Sequence, residues 1–187
     1  GVRPDLTRIL SEILRINKNI HRIECYDVSN IQGKQATGSM VVFVGGKPDK
    51  SQYRKFRIRM KNEPNDIAML KETITRRLSH AEWDYPDVML IDGGRAQLNA
   101  AINSKSEARF NSAELQRSGS NPKQIQNIKI ISIAKRNKEL FVEGKNKPVL
   151  LKTLPREIYN LILQLDDEAH RFAIAYHKKL RKKELLK

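Results

Sequence analysis

The 187-residue sequence predicts an α/β fold with a mixed β-sheet, flanking helices and a long C-terminal helix. The opening third contains three extended runs separated by turn residues, a pattern typical of antiparallel strands. Further along, short apolar runs alternate with stretches of helical spacing, which is typical of strands covered by helices on both faces. The predicted order is three strands, a helix, a strand, a helix, a strand, a small hairpin and a long helix.

A helix and three antiparallel strands are predicted first along the chain. Residues 5–20 carry Leu and Ile at helical spacing, with Asp5 placed to cap the helix N-terminus. The turn residues Gly45 and Gly46 favour a hairpin between the second and third strands. The predicted strands are Ile23–Asp27, Thr37–Val44 and Tyr53–Ile58.

The remaining elements alternate between helices and strands. Asp66 opens a stretch of helical spacing, and the continuous apolar run from Asp87 to Ile91 predicts a strand buried on both faces. Residues 103–127 are polar and weakly patterned, which predicts a frayed helix end and a loop. The other predicted elements are a helix from Ala96, a strand over Ile128–Ala134, a hairpin of Leu140–Val142 with Val149–Leu151, and a last helix starting at Pro155.

The composition indicates a basic protein of the reducing cytoplasm. The chain has 36 Lys and Arg residues against 21 Asp and Glu, a formal net charge of +15. Such a charge favours a polyanionic partner, nucleic acid first and an anionic membrane second, although a Lys-rich surface without a partner gives the same count. No apolar run approaches the ~18–20 residues of a membrane-spanning helix, and no secretory signal is recognised. The single cysteine, Cys25, excludes a disulfide framework and is expected to be a packed side chain.

Two carboxylates stand at the predicted ends of central strands. Asp27 follows one apolar stretch and Asp92 follows another. Ligand sites of open α/β sheets gather at the carboxyl ends of the strands, so neighbouring strands would bring these two groups together. A divalent cation relieves the resulting repulsion, and Mg²⁺ or Mn²⁺ prefers oxygen ligands. The alternative for each residue is an ordinary turn position, because Asp-Gly is a common turn signal.

His170 and Asp66 are further candidates for the same chemistry. His170 lies on the last helix, one turn after Asp167, and an imidazole can serve as a metal ligand or a general base. A surface histidine held by Asp167 is the alternative. Asp66 opens a helix and is favourable there through capping and the helix dipole alone. Gly93 and Gly94 permit a sharp turn after Asp92, but neither a P-loop nor a dinucleotide-binding fingerprint is present.

Three motifs together resemble one family. They are YDVSNIQG at residues 26–33, LIDGG at residues 90–94, and DEAHRFA at residues 167–173 followed by YHKK at residues 176–179. In this order and spacing they are similar to the carboxy-terminal endonuclease domain of UvrC, the incision subunit of bacterial nucleotide excision repair. The resemblance covers about residues 21–183 and implies an RNase H-like fold.

The resemblance also implies an activity and a set of site residues. The expected reaction is hydrolysis of one phosphodiester on the 5′ side of a lesion in double-stranded DNA, with Mg²⁺ or Mn²⁺ as cofactor. The family's catalytic positions fall on Asp27, Asp92 and His170, which are also the expected metal ligands, and a further acidic position falls on Asp66. Asn30 and Asp166 depart from the family's usual His and Arg. The implied partner is UvrB, with UvrA acting upstream.

The basic residues supply candidate contacts to DNA phosphates, which position a strand without reading its sequence. The candidates are Arg54, Lys55, Arg76, Arg77, Arg171, Lys178, Lys179 and Arg181. Residues 1–20 are expected to be a linker or helical lead-in and residues 21–187 the endonuclease domain, as an isolated part of a larger protein. A non-catalytic nucleic-acid-binding domain of the same fold is the alternative function, and a nuclease for DNA junctions or RNA would share the chemistry.

Overall fold

One mixed sheet organises the chain. The computed structural model describes residues 5–30, 35–59, 65–110, 119 and 121–187. The strands are β1 (Arg22–Ser29), β2 (Thr37–Val44), β3 (Lys47–Pro48), β4 (Arg54–Arg57), β5 (Val88–Asp92), β6 (Lys129–Ala134), β7 (Glu139–Val142) and β8 (Val149–Leu150). They form one sheet with the order β3-β2-β1-β5-β6-β7-β8, and β4 also pairs with β2.

The pairing pattern confirms the predicted mixed sheet. Strand β1 runs antiparallel to β2 and parallel to β5, and β5 runs parallel to β6. The antiparallel pairs β6–β7 and β7–β8 complete the other edge. Residues Val88–Leu90 have no exposed surface, as expected for a strand covered on both faces.

Helices cover both faces of this sheet. The described helices are α1 (Leu6–Leu14), α2 (Asp66–Leu78), α3 (Arg95–Phe110), α4 (Pro122–Gln126) and α5 (Arg156–Leu185). Side chains alternate between the two faces along β1, so Glu24, which contacts α2, and Asp27, which faces α5, mark opposite sides. Helices α2 and α5 therefore pack on opposite faces. No helix among the described residues is long and apolar enough to cross a membrane.

Several element boundaries differ from the sequence prediction. Helix α1 begins after the Asp5 cap as predicted, but it ends at Leu14 because Arg15 takes the left-handed conformation with φ of 55°. The sequence predicts a frayed helix end and a loop over residues 103–127. In the structure, helix α3 continues to Phe110 and the short helix α4 lies within the same segment. Residues 111–118 and 120 of that segment lie outside the described residues.

A buried network of charges ties α2 to the sheet. Glu24 has no exposed surface and accepts two hydrogen bonds from Arg77, from Nε at 2.7 Å and from Nη2 at 2.8 Å. Arg22 Nε donates to the same carboxylate at 2.9 Å, and the Tyr26 hydroxyl also donates to it. Arg77 further donates to the carbonyl oxygens of His80 and Asp84. These bonds satisfy a carboxylate and a guanidinium whose burial is otherwise costly.

Removing one member of this network leaves a buried charge uncompensated. We expect Arg77→Met to lower the free energy of unfolding by about 3–5 kcal/mol, because Glu24 then stays buried without its main partner. The double variant Glu24→Gln with Arg77→Met is expected to recover part of that loss. Urea denaturation of the two variants and the unaltered protein measures both effects, and equal destabilisation of single and double variants would contradict the account.

Asp87 connects the segment before β1 to the start of β5. Its carboxylate accepts hydrogen bonds from the backbone N–H groups of His21 at 2.7 Å and Arg22 at 2.9 Å, and it pairs with Lys18 at 2.9 Å. Partial burial raises the pKa of this carboxyl, but the Arg22 N–H, the Lys18 ammonium and the His21 N–H outweigh it and leave the pKa lowered. The ionised form is therefore stabilised by folding.

The lowered pKa of Asp87 predicts a pH-dependent contribution to stability. A carboxyl with a depressed folded-state pKa stabilises the protein fully above its unfolded-state pKa of about 3.9, and the contribution is lost as the pH falls through the folded-state value. We expect Asp87→Asn to cost about 1–2 kcal/mol at neutral pH. Denaturation at a series of pH values should show the difference from the unaltered protein narrowing below about pH 4, and a constant difference would refute this role.

Candidate active site at the carboxyl edge of β1 and β5

The parallel pairing of β1 and β5 brings two carboxylates to one edge of the sheet. Tyr26 is in register with Ile91, so Asp27 and Asp92 follow at neighbouring positions. They line a cleft of about 70 Å³ together with Asp66, Leu70 and Gln97. The structure thus brings together three of the four acidic and histidine positions inferred from sequence.

Asp66 reaches this cleft from the first turn of α2. The side chain of Asn65 caps the helix by accepting a hydrogen bond from the Ala68 N–H at 2.8 Å. Asp66 is therefore not the capping residue, and its exposed carboxylate is left to line the cleft.

The two glycines after Asp92 shape the other wall. Gly93 has φ of 139°, and a Cβ there would lie 2.5 Å from the Gln97 side chain. Gln97 in turn accepts a hydrogen bond from the Gly94 N–H at 3.0 Å. This close approach holds the start of α3 against Asp92, and a larger residue at position 93 would displace Gln97 from the cleft.

His170 completes the group from α5. Its Nδ1 lies 3.9 Å from Oδ1 of Asp27, and its side chain is 66% exposed whereas that of Asp27 is 12% exposed. The predicted partnership with Asp167 is absent from the described contacts, because Asp167 pairs with Lys135 at 2.8 Å. His170 is thus an accessible imidazole beside a half-buried carboxylate.

Sequence reasoning missed the ion pair of Asp166 with Lys135. Asp166 is 5% exposed, and its Oδ2 lies 2.7 Å from the Lys135 Nζ, which also bonds Asp167. Lys135 directly follows the apolar run of β6, so its position at the carboxyl end of a central strand is the signal that could have identified it. Asp166 was identified only as a departure from the family's usual Arg.

Burial, together with nearby acidic groups, raises the pKa of both strand-end carboxyls. Burial raises the pKa of Asp27 to about 6; His170 opposes this shift, whereas Asp92 and Asp166 add to it. Desolvation and the neighbouring Asp166 raise the pKa of Asp92, against the opposing charges of Lys135 and His170. The site therefore carries unrelieved negative charge, which a bound cation would reduce.

The residues present fit a divalent cation by donor type. Carboxylate oxygens of Asp27 and Asp92 suit Mg²⁺ or Mn²⁺, and imidazole nitrogen suits Mn²⁺ better than Mg²⁺. Ser39, which pairs with Asp27 across β1 and β2, has a buried hydroxyl without a hydrogen-bond partner in the described structure. Within the described ranges, however, no three His, Cys, Asp or Glu side chains form a preformed metal cage. Binding would therefore draw these side chains closer together.

The basic residues inferred as DNA contacts differ in their exposure. Arg77 has no exposed surface, so the prediction that it contacts DNA is wrong. Its guanidinium is instead paired with the buried carboxylate of Glu24. Arg54 and Lys55 are half-buried, with Lys55 over the Tyr176 ring at 3.7 Å. Arg76 pairs with Glu72, and Arg171 pairs with Glu168 at 2.6 Å. The remaining candidates are exposed on the last turns of α5, namely Lys178, Lys179 and Arg181.

Comparison with known proteins identifies the family. The UvrC RNAse H endonuclease domain matches residues 11–174. UvrABC system protein C of Dictyoglomus thermophilum is 44% identical over 88% of this chain, and that of Geotalea daltonii is 38% identical over 97%. The chain spans 25% and 29% of the lengths of these two relatives.

Among solved structures, Ciona intestinalis endonuclease V in complex with an inosine-containing 24mer DNA aligns with a TM-score of 0.47 and 14% identity, over 86% of this chain and 87% of that chain. The match over residues 11–174 includes Asp27, Asp92 and His170. The chain belongs to the UvrC RNAse H endonuclease domain family.

Proposed function

We propose that this chain is a divalent-metal-dependent DNA endonuclease domain that makes the 5′ incision in damaged DNA during nucleotide excision repair. The observation that carries the proposal is the placement of Asp27 and Asp92 at adjacent strand ends, with His170 3.9 Å from Asp27. Family membership supports the same reaction. UvrB is the proposed partner and a damaged duplex the proposed substrate, because the curated relatives of this chain are UvrABC system proteins.

In this proposal, Asp27 and Asp92 hold the cation from neighbouring strands. Bound Mg²⁺ or Mn²⁺ would lower the pKa of an attacking water and stabilise negative charge on the phosphate. His170 stands on the open side of the site, where it can complete the ligand set or accept a proton. Asp66 lines the same cleft from α2, where its carboxylate would be a further oxygen donor to a cation.

Other side chains keep this arrangement in place. Lys135 neutralises Asp166, which otherwise adds another buried charge close to Asp27 and Asp92. The Gly93 turn fixes the direction of the chain after Asp92. The exposed cations of α5 then attract the phosphates of the substrate strand, so DNA binding should weaken steeply as salt rises.

Loss of the Asp92 carboxylate is the direct test of the proposed site. We expect Asp92→Asn to lower nicking of a lesion-bearing duplex at least about 100-fold, since even outer partners of metal ligands contribute about 10–100-fold. The assay compares Mn²⁺, Mg²⁺ and EDTA, with and without UvrB. The matched control is Asp84→Asn, an exposed carboxylate outside the cleft, which should nick normally. Equal nicking by the two variants would contradict the assignment, and DNA binding without nicking in the presence of UvrB would favour a binding-only domain.

Cation binding should also stabilise the folded protein. The histidine in place of a further carboxylate favours Mn²⁺ over Mg²⁺. A cation at 100 times its Kd adds about 2.7 kcal/mol, which corresponds to about 5–10 °C in Tm for a domain of this size. We expect Mn²⁺ to raise Tm at lower concentrations than Mg²⁺ does, and Asp92→Asn to remove the effect. Thermal unfolding across a metal titration measures this effect. If Tm rose at the same concentration of Mn²⁺ and of Mg²⁺, the preference for Mn²⁺ would be refuted.

A further inference from the structure

A groove runs along the C-terminal half of α5, beyond the proposed active site. It has a volume of about 690 Å³. Arg57 and Gln35 line it from the sheet side, and α5 contributes Tyr176, His177, Lys183 and Lys187. This volume is that of a pocket for a small organic molecule, so the groove has room for a few nucleotides of one strand.

The groove begins where the proposed active site ends. His177 lies seven residues after His170, on the same face of α5, and Ser29 lies two residues after Asp27 on the same face of β1. Ser29 Oγ and His177 Nε2 are hydrogen-bonded at 2.8 Å, which joins the strand and the helix at this point. Seven helical residues rise about 10 Å, which is the rise of about three nucleotides along one DNA strand.

Positive charge outweighs negative charge at the groove, which Arg57, Lys183 and Lys187 line together with one acid, Glu184. Arg57 and Lys183 are exposed and make no ion pair with any described residue. The pKa of His177 is lowered by burial and by the nearby charges of Lys55 and Arg181. Burial and the charge of Lys179 lower the pKa of Lys55 to about 8. These cations repel one another, and an anionic strand would relieve that repulsion.

An aromatic ring lines the same groove. Tyr176 is half-buried, and Lys55 Nζ sits 3.7 Å over its ring. Aromatic rings that line a cationic groove stack the bases of single-stranded DNA, because every base offers a flat face. A phosphate contact and a stacking surface therefore lie side by side.

We propose that the groove binds the unpaired DNA strand that continues from the scissile phosphate, with its backbone on Arg57 and Lys183 and a base against Tyr176. The inference rests on the proposed function, since it takes the strand from the site of Asp27 and His170. His177, held by Ser29, would face the phosphate at the groove's entrance.

Adjacent lysines on α5 provide a matched test. Lys183 lines the groove, whereas Lys182 is also exposed but, one residue earlier, lies about 100° away around the helix and does not line the groove. We expect Lys183→Gln and Arg57→Gln each to weaken binding of a labelled single strand of about 12 nucleotides by about threefold to tenfold, and to lower the salt slope by about 0.7. Lys182→Gln should change binding by less than about twofold.

The aromatic contact has its own pair of variants. Tyr176→Ala should weaken binding by about tenfold, whereas Tyr176→Phe, which keeps the ring, should bind normally. Fluorescence anisotropy in EDTA measures DNA binding by all five variants without cleavage. A negative binding result would therefore count against the groove and not against the endonuclease proposal, which the nicking assay of Asp92→Asn tests on its own. Equal effects of Lys182→Gln and Lys183→Gln, or no binding of single-stranded DNA, would overturn the proposal.

Discussion

The parallel pairing of β1 with β5 is the constraint on which the site depends. Because Tyr26 is in register with Ile91, the next residue of each strand is an aspartate, and both emerge at the same edge of the sheet. Neither can withdraw into solvent without breaking a central strand pair, since the strand residues before them are buried. Repulsion between Asp27 and Asp92 is therefore built into the fold, and the proposed cation would relieve it.

The buried charges that stabilise the fold and the charges available to the site lie on opposite faces of the sheet. On the α2 face, the Glu24 carboxylate is fully paired with Arg77 and gives no charge to the site. On the α5 face, charges are left partly unmatched: His170 is exposed, Asp166 depends on Lys135, and the groove beyond His177 is cationic. Alternation of side chains along β1 allows both arrangements on one strand.

Sequence patterns predicted the elements better than the partners of individual charges. The bounds of β2 match the predicted Thr37–Val44, and the two glycines that follow its apolar run mark its carboxyl end. The carboxyl-edge position of Asp92 follows from the apolar run before it, which needs no knowledge of distant residues. The predicted end of α1 was wrong because Arg15 adopts the left-handed conformation that ends the helix, and no glycine marks this position in the sequence. Burial of Arg77 and the bond of Lys135 to Asp166 depend on residues 53 and 31 positions away along the chain, which no local pattern reports.

The central claim is that Asp27 and Asp92 share one bound cation, and crystals grown with Mn²⁺ test it most directly. Anomalous scattering locates manganese independently of any assumption about its ligands. The account predicts a peak within bonding distance of both carboxylates, at about 2.0–2.3 Å from their oxygens, with His170 turned toward it. A peak bound to only one of the two aspartates, or manganese found only elsewhere on the protein, would contradict the account.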